Sequence, residues 1–175
     1  MVELTKRPIL NLKITPLELL LNVITLAVFV GTIVYLISSW TIIPSEIPAH
    51  YNAAGEVDRW GGKGEILILP IIGLLMWIGM TILEKYPHVY NYVNLTKENA
   101  RAQYLNGRLL INVLKNEIVL LFSYITWKGI QVAIGQHDSL GVWLLPVFLL
   151  IIFCSTGYFI VKSLRLAKEI NKLYK

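Results

Sequence analysis

The amino-acid sequence predicts an all-α membrane protein with four transmembrane helices, both termini cytoplasmic, and a short external β-hairpin-like loop between helices 1 and 2. Three observations carry this. Of the 175 residues 55% are apolar and only 15% are charged, against about 25% charged in a soluble domain. The apolar residues gather into four long runs, each near the roughly 20 residues that cross a hydrocarbon core. Lys and Arg fall twelve to three on one side of those runs, with Lys115 inside a run, which the positive-inside rule reads as N-in and C-in.

Residues 1–175 read as a single membrane domain. Helix 1 covers 17–39, LELLLNVITLAVFVGTIVYLISS. Thr15 is placed as its N-cap, Pro16 as its first residue and Glu18 as the partner that closes a capping box. Its apolar stretch is longer than that of a signal peptide, and no small-residue cleavage site is evident, so the helix is expected to be retained. A polar external loop covers 40–65. Helix 2 covers 66–83, ILILPIIGLLMWIGMTIL, uncharged and expected to kink at Pro70.

The cytoplasmic segment 84–108 ends in NLTKENARAQYLNGR, good helix formers after cap-type residues, so the third helix is expected to start near Thr96. From there to Trp127 it would be about 48 Å long at 1.5 Å per residue, with its first turns in the cytoplasm. Its membrane span, 109–127, carries Lys115 and Glu117. Helix 4 covers 142–161, uncharged, with Pro146 in its first turns. The tail 162–175 sets lysines among Leu164, Leu166, Ile170 and Leu173 and reads as a basic amphipathic extension on the anionic inner surface. Leu69-Pro70 and Leu145-Pro146 hint at a weak parallel repeat of helix pairs.

The net charge of +5 does not point to nucleic acid. The basic residues flank apolar runs and form no basic, aromatic-studded platform. Cys154 is the single cysteine, which excludes an internal disulfide and a cysteine metal cluster.

The most distinctive segment is Trp40 to Glu65, WTIIPSEIPAHYNAAGEVDRWGGKGE. Residues 47–52 read as extended, 53–55 as a turn with Gly55 free to take positive φ, and 56–60 as a returning strand. Trp40 and Trp60 are placed at the outer headgroup level. With Pro48, His50, Asn52, Gly55, Asp58, Trp60, Gly61 and Lys63 at their spacing in IPAHYNAAGEVDRWGGK, followed by a Pro-containing second span, the chain resembles bacterial membrane proteins carrying domain of unknown function 1648. The same module occurs in an immunity protein against a sporulation-delaying peptide toxin, a longer chain whose second domain is not found here. The resemblance implies a membrane location and a role in peptide immunity or signalling.

Two residue sets are candidates for function. On the loop, His50, Asn52, Gly55, Asp58, Trp60 and Lys63 form a candidate ligand-binding set. His50, Asn52, Glu56 and Asp58 also supply oxygen and nitrogen atoms of metal-ligand type, but a single histidine is a thin basis. The reading adopted is no metal, with Asn52 and Asp58 bonding the turn and His50 packed at the interface.

Within the membrane, Glu18, Asn22, Thr25 and Thr32 on helix 1 and Arg108, Asn112, Lys115, Asn116 and Ser123 on helix 3 recur at helical spacing, so two polar stripes should face each other. Lys115 could partly snorkel inward, and Glu117 points off the stripe, requiring a partner on another helix. The candidate intramembrane cluster is Glu18, Asn22, Asn112, Lys115, Asn116 and Glu117. Such groups mark relays and ligand sites, or serve as interhelical glue at about 0.6 kcal/mol per contact.

No metalloprotease, nucleophile-elbow or phosphate-loop motif is found, and no catalytic residue or cofactor is expected. The sequence therefore supports a non-enzymatic protein of the bacterial plasma membrane whose external loop senses or sequesters a peptide or other envelope ligand. The alternative is an accessory subunit or small transporter that uses the intramembrane cluster. Expected partners are the lipid bilayer, a peptide ligand and a membrane protein or second copy, although no Gly-x-x-x-Gly face is evident.

Overall fold

The computed structural model describes residues 7–173, with side-chain surroundings to residue 168. Lys6, Lys175 and the Lys172 side chain, which enter the charge asymmetry, lie outside it. Four helices and one hairpin make up the fold: α1 (Pro16–Ser39), β1 (Glu46–Tyr51), β2 (Val57–Gly62), α2 (Ile68–Leu83), α3 (Ala100–Ala133) and α4 (Leu144–Leu173). All four helices are long and apolar enough to cross a membrane when the 3-10 turn Lys63–Leu67 is joined to α2.

α1 starts as its sequence dictates. The Thr15 hydroxyl accepts from the Glu18 backbone N–H, and the Glu18 carboxylate accepts from Thr15 N–H at 2.6 Å. The start of α2 differs from expectation. The chain first makes the 3-10 turn, so α2 begins at Ile68 and Pro70 is its third residue. There the missing N–H costs little, since Pro70 lies in the first turn of α2. Pro146 has the same third place in α4.

α3 departs most from the expected 109–127. Thr96 closes the turn that leads into its N-cap residue, Asn99: Thr96 N–H donates to Asn99 Oδ1 at 2.8 Å, Asn99 N–H donates back to Thr96 Oγ1 at 3.3 Å, and Ala100 N–H bonds Thr96 O. Regular helix begins at Ala100 and runs 34 residues to Ala133, about 51 Å. Lys128 and Gly129 do not stop it. Gly135, at φ +75°, supplies the left-handed residue that ends a helix. α4 begins at Leu144, two residues later than expected, and continues into the tail as one helix.

α3 is the axis of the fold. α1, α2 and α4 each pack on it and make little contact with one another. Position explains composition: a helix surrounded by protein can carry polar side chains, whereas helices facing lipid cannot. Gln103, Asn106, Arg108, Asn112, Lys115, Asn116, Ser123 and Thr126 of α3 are buried, while Val34, Leu75 and Leu150 on the outer helices are 60–64% exposed. A polar axis inside an apolar rim marks a multi-pass membrane protein.

At one end, Leu36, Ile43, Ile47, Ile66 and Ile130 form a small apolar core beneath the hairpin. At the other, the segment 84–99 folds back on α3. Tyr90 and Tyr92 stack at 6.1 Å, Tyr92 meets Tyr104 at 5.4 Å, and Arg7 donates to Tyr90 O at 2.5 Å. Gly107 makes this approach tolerable, since a Cβ there would lie 2.8 Å from the Tyr92 hydroxyl.

Candidate functional site

The loop between α1 and α2 is a true two-stranded antiparallel sheet, Glu46 opposite Gly62 and Tyr51 opposite Val57, with a bulge between Pro48 and His50. The hairpin-like loop expected between helices 1 and 2 is thereby present as paired strands. Asn52 organises its turn: its Oδ1 accepts from Ala54 and Glu56 N–H at 2.9 and 3.0 Å, and its amide donates to Glu56 Oε2 at 2.9 Å. Gly55 takes φ +78° and packs so close that a Cβ would lie 2.8 Å from Gly141 O. Leu140 N–H donates to Gly55 O at 2.8 Å, and Glu56 bridges Ser139. The hairpin tip is therefore pinned to the loop between α3 and α4.

The hairpin roofs a cleft of about 620 Å³. Leu121, Ile125 and Gly129 of α3 line its floor, Ile68 and Leu69 of α2 one wall, and Leu144, Leu145 and Phe148 of α4 the other. The surface is predominantly apolar, with a polar rim of His50, Tyr51, Arg59 and Glu65. Arg59 donates to Glu65 Oε2 at 2.8 Å and to Ala49 O at 3.2 Å. The Glu65 carboxylate beside it holds the Arg59 guanidinium above its ordinary value. The Tyr51 hydroxyl is buried without a hydrogen-bond partner, and burial pushes its phenol up to about 12.

Of the expected loop set, His50, Asn52 and Gly55 line the cleft, whereas Asp58, Trp60 and Lys63 do not. Asp58 does not bond the turn as expected; it receives His50 Nδ1 at 2.6 Å on an exposed face. Lys63 donates to Trp40 O and lies 4.6 Å over the Trp40 ring, fixing the exit of α1 to the start of the 3-10 turn. Trp60 is 52% exposed. The His50, Asn52, Glu56 and Asp58 set divides into two separate pairs, Asn52 with Glu56 and His50 with Asp58.

The second site is the polar axis. The two stripes meet: Arg108 Nε and Nη2 donate to the Glu18 carboxylate at 2.7 and 2.9 Å, and the Asn112 and Asn116 amides both donate to Asn22 Oδ1 at 3.1 Å. Thr32 instead bonds Val28 O of its own helix, and the Thr25 and Ser123 hydroxyls are buried without partners. Lys115 turns to the end of α2 away from the hairpin. It pairs with Glu84 at 2.7 Å, donates to Thr81 Oγ1 at 2.9 Å and lies 4.8 Å over the Trp77 ring. A second cleft of about 330 Å³, lined by Glu18, Asn22, Thr81, Glu84, Lys85 and Arg108 among others, opens onto this network away from the hairpin.

Glu117 does not belong to that cluster. It lies on another face of α3 and accepts from Ser155 Oγ of α4 at 3.1 Å. This is the partner on another helix that its off-stripe position required.

Sequence reasoning missed Tyr51, Arg59 and Glu65 at the cleft, and Glu84, Thr81 and Trp77 in the network. Glu84 had a signal, being the first charge after the second apolar run and thus a candidate counter-ion for a membrane-embedded lysine. Arg59 and Glu65 had none, because a strand and a 3-10 turn give no common spacing.

Residues 27–74 match a family model described as "Domain of unknown function (DUF1648)". The match runs from the second half of α1 through the hairpin into α2, and so contains the roof and one wall of the larger cleft. An "Uncharacterized protein" of Archaeoglobus fulgidus is 28% identical over 132 residues, covering 68% of this chain and 70% of that protein. No solved structure matches. With the whole hairpin and the adjoining parts of α1 and α2 inside the matched segment, residues 27–74 are similar to domain of unknown function 1648.

Proposed function

We propose that this chain is a non-enzymatic multi-pass protein of the bacterial plasma membrane, both termini cytoplasmic, that binds an amphipathic ligand of the envelope in the cleft under its external hairpin. The observation that carries the reading is the cleft itself: largely apolar floor and walls, with the charged Arg59 and Glu65 at the rim beneath the hairpin. Pockets with few polar groups on an apolar lining favour ligands of matching polarity. The roof is held at both ends, by the Ile43, Ile47 and Ile66 core and by the Gly55 contact with Gly141. Such pinning lowers the ordering cost of binding.

The resemblance to the immunity module makes a membrane-active peptide the first ligand to try. Cells lacking the gene would be challenged with a panel of such peptides and complemented with wild type or with Gly129→Leu, matched for membrane abundance. Gly129 lies on the cleft floor, where even a Cβ would sit 3.5 Å from the Tyr51 hydroxyl, so leucine fills the space. Sensitivity restored by wild type alone supports the reading. Equal restoration by both forms removes the cleft from it.

A second reading rests on the Lys115 and Glu84 pair facing the smaller cleft: an accessory subunit or small transporter acting through the intramembrane network. Its test is Glu84→Gln, which would abolish function while leaving hairpin-dependent peptide protection intact.

A further inference from the structure

The larger cleft is bounded on two sides by helices that do not close on each other. α2 and α4 each pack on α3 and make little mutual contact, so the space between them continues into the membrane. Its walls continue the lipid-facing surface: Ile68 is 47% exposed and Ile71 55% on α2, and Leu145 is 42% exposed and Leu149 39% on α4. In a bilayer such a space fills with hydrocarbon, because an apolar cavity of this size has no partners for water.

The Tyr51 hydroxyl packs near Gly129 with almost no accessible surface, so the interior offers an entering molecule apolar contact and leaves charged contacts to the rim. Above it, at the rim, the Arg59 side chain is 54% exposed although paired with Glu65, within a polar border suited to a headgroup.

We propose that the resident ligand of this cleft is a membrane lipid: its acyl chain enters sideways between α2 and α4, and its headgroup lies at the Arg59 and His50 rim. This rests on the reading of the cleft as a binding site and names the ligand class. A continuous opening to the bilayer favours a lipid over a peptide arriving from water, since lipid is already present at high local concentration and needs no passage through the hairpin.

The full chain would be reconstituted in vesicles of phosphatidylethanolamine and phosphatidylglycerol containing a phospholipid with a photoactivatable group in mid-chain. Crosslinked positions are then mapped after illumination. Labelling concentrated at residues 121–129 and 144–148 is expected, reduced at least tenfold in Gly129→Leu. Melting temperature and labelling at Val34, 60% exposed on α1, serve as controls for folding. Labelling spread evenly over lipid-facing positions, unchanged by Gly129→Leu, overturns the lipid assignment. In that case a fluorescent membrane-active peptide is added to the same vesicles. Binding lost in Gly129→Leu keeps the cleft as a peptide site; no binding at all removes the site as well.

Discussion

The ion pair between Glu18 and Arg108 allows a prediction whose sign, as well as size, is informative. The guanidinium donates to both Glu18 oxygens at 2.7 and 2.9 Å and to Leu12 and Lys13 carbonyls at 2.8 and 2.6 Å, with Arg108 6% and Glu18 3% exposed. If these contacts were ordinary membrane glue at about 0.6 kcal/mol each, losing the two to Glu18 would cost about 1 kcal/mol. Arg108→Met does more: it strands a buried carboxylate, which costs about 3–5 kcal/mol in a dry site. Two features lower that figure. The Glu18 carboxylate retains the Thr15 N–H and sits at the positive end of α1, and it lines a cleft of about 330 Å³ and not a closed core. We expect about 3 kcal/mol for Arg108→Met. In Glu18→Met/Arg108→Met no charge is stranded, so the double variant should lie only about 1 kcal/mol below wild type and be more stable than Arg108→Met alone. Reversible unfolding by detergent titration in mixed micelles reads all four forms. A double variant whose loss equals the sum of the single losses would refute the reasoning.

Three further outcomes follow from particular contacts. Gly55→Val forces a branched residue to φ +78° and a Cβ to 2.8 Å from Gly141 O; it should cost about 1–3 kcal/mol and speed proteolysis within 134–143, and unchanged proteolysis would detach the hairpin from that loop. Glu117→Gln keeps an oxygen for the Ser155 hydroxyl, so peptide protection and stability should both stay near wild type, with stability within about 0.5 kcal/mol; loss of protection in a folded variant would give the Glu117 charge a role beyond holding α4. For topology, Ala53→Cys in a Cys154→Ser background should react with a membrane-impermeant maleimide in intact cells, and Lys13→Cys only after permeabilisation. The reverse pattern would invert the orientation.

What the sequence made legible follows from the kind of signal each feature leaves. The four helices were readable because lipid demands an uninterrupted apolar run, a long-range constraint visible without tertiary contacts. The α1 cap was readable because Thr15 and Glu18 satisfy backbone groups within one turn. The facing of Glu18 and Asn22 with Arg108, Asn112 and Asn116 followed from helical spacing plus the scarcity of partners in a membrane. Asn52 and Gly55 were legible as turn residues, being local.

The rest is tertiary. Lys115 finding Glu84 depends on α2 lying beside α3, which no periodicity specifies. The far end of α3 was placed early, at Trp127, because a hydropathy window stops at charged residues, whereas the helix runs to Ala133 and is ended by Gly135, where the backbone turns left-handed. The cleft arises only when a strand, a 3-10 turn and three helices meet. Asp58 and Trp60 looked like site residues because they belong to the family pattern, yet their side chains lie outside the cleft; Trp60 is exposed opposite Pro48, and Asp58 pairs with His50.

The central claim is that the hairpin-roofed cleft is an occupied binding site, and the most direct measurement is ligand binding to the purified full chain in lipid nanodiscs. Native mass spectrometry of the released protein would read retained lipid, and fluorescence anisotropy would read a labelled membrane-active peptide, for wild type and Gly129→Leu side by side. The account predicts a stoichiometric, saturable ligand on wild type and its loss on Gly129→Leu at unchanged melting temperature. Equal occupancy of the two forms, or none on either, would contradict it.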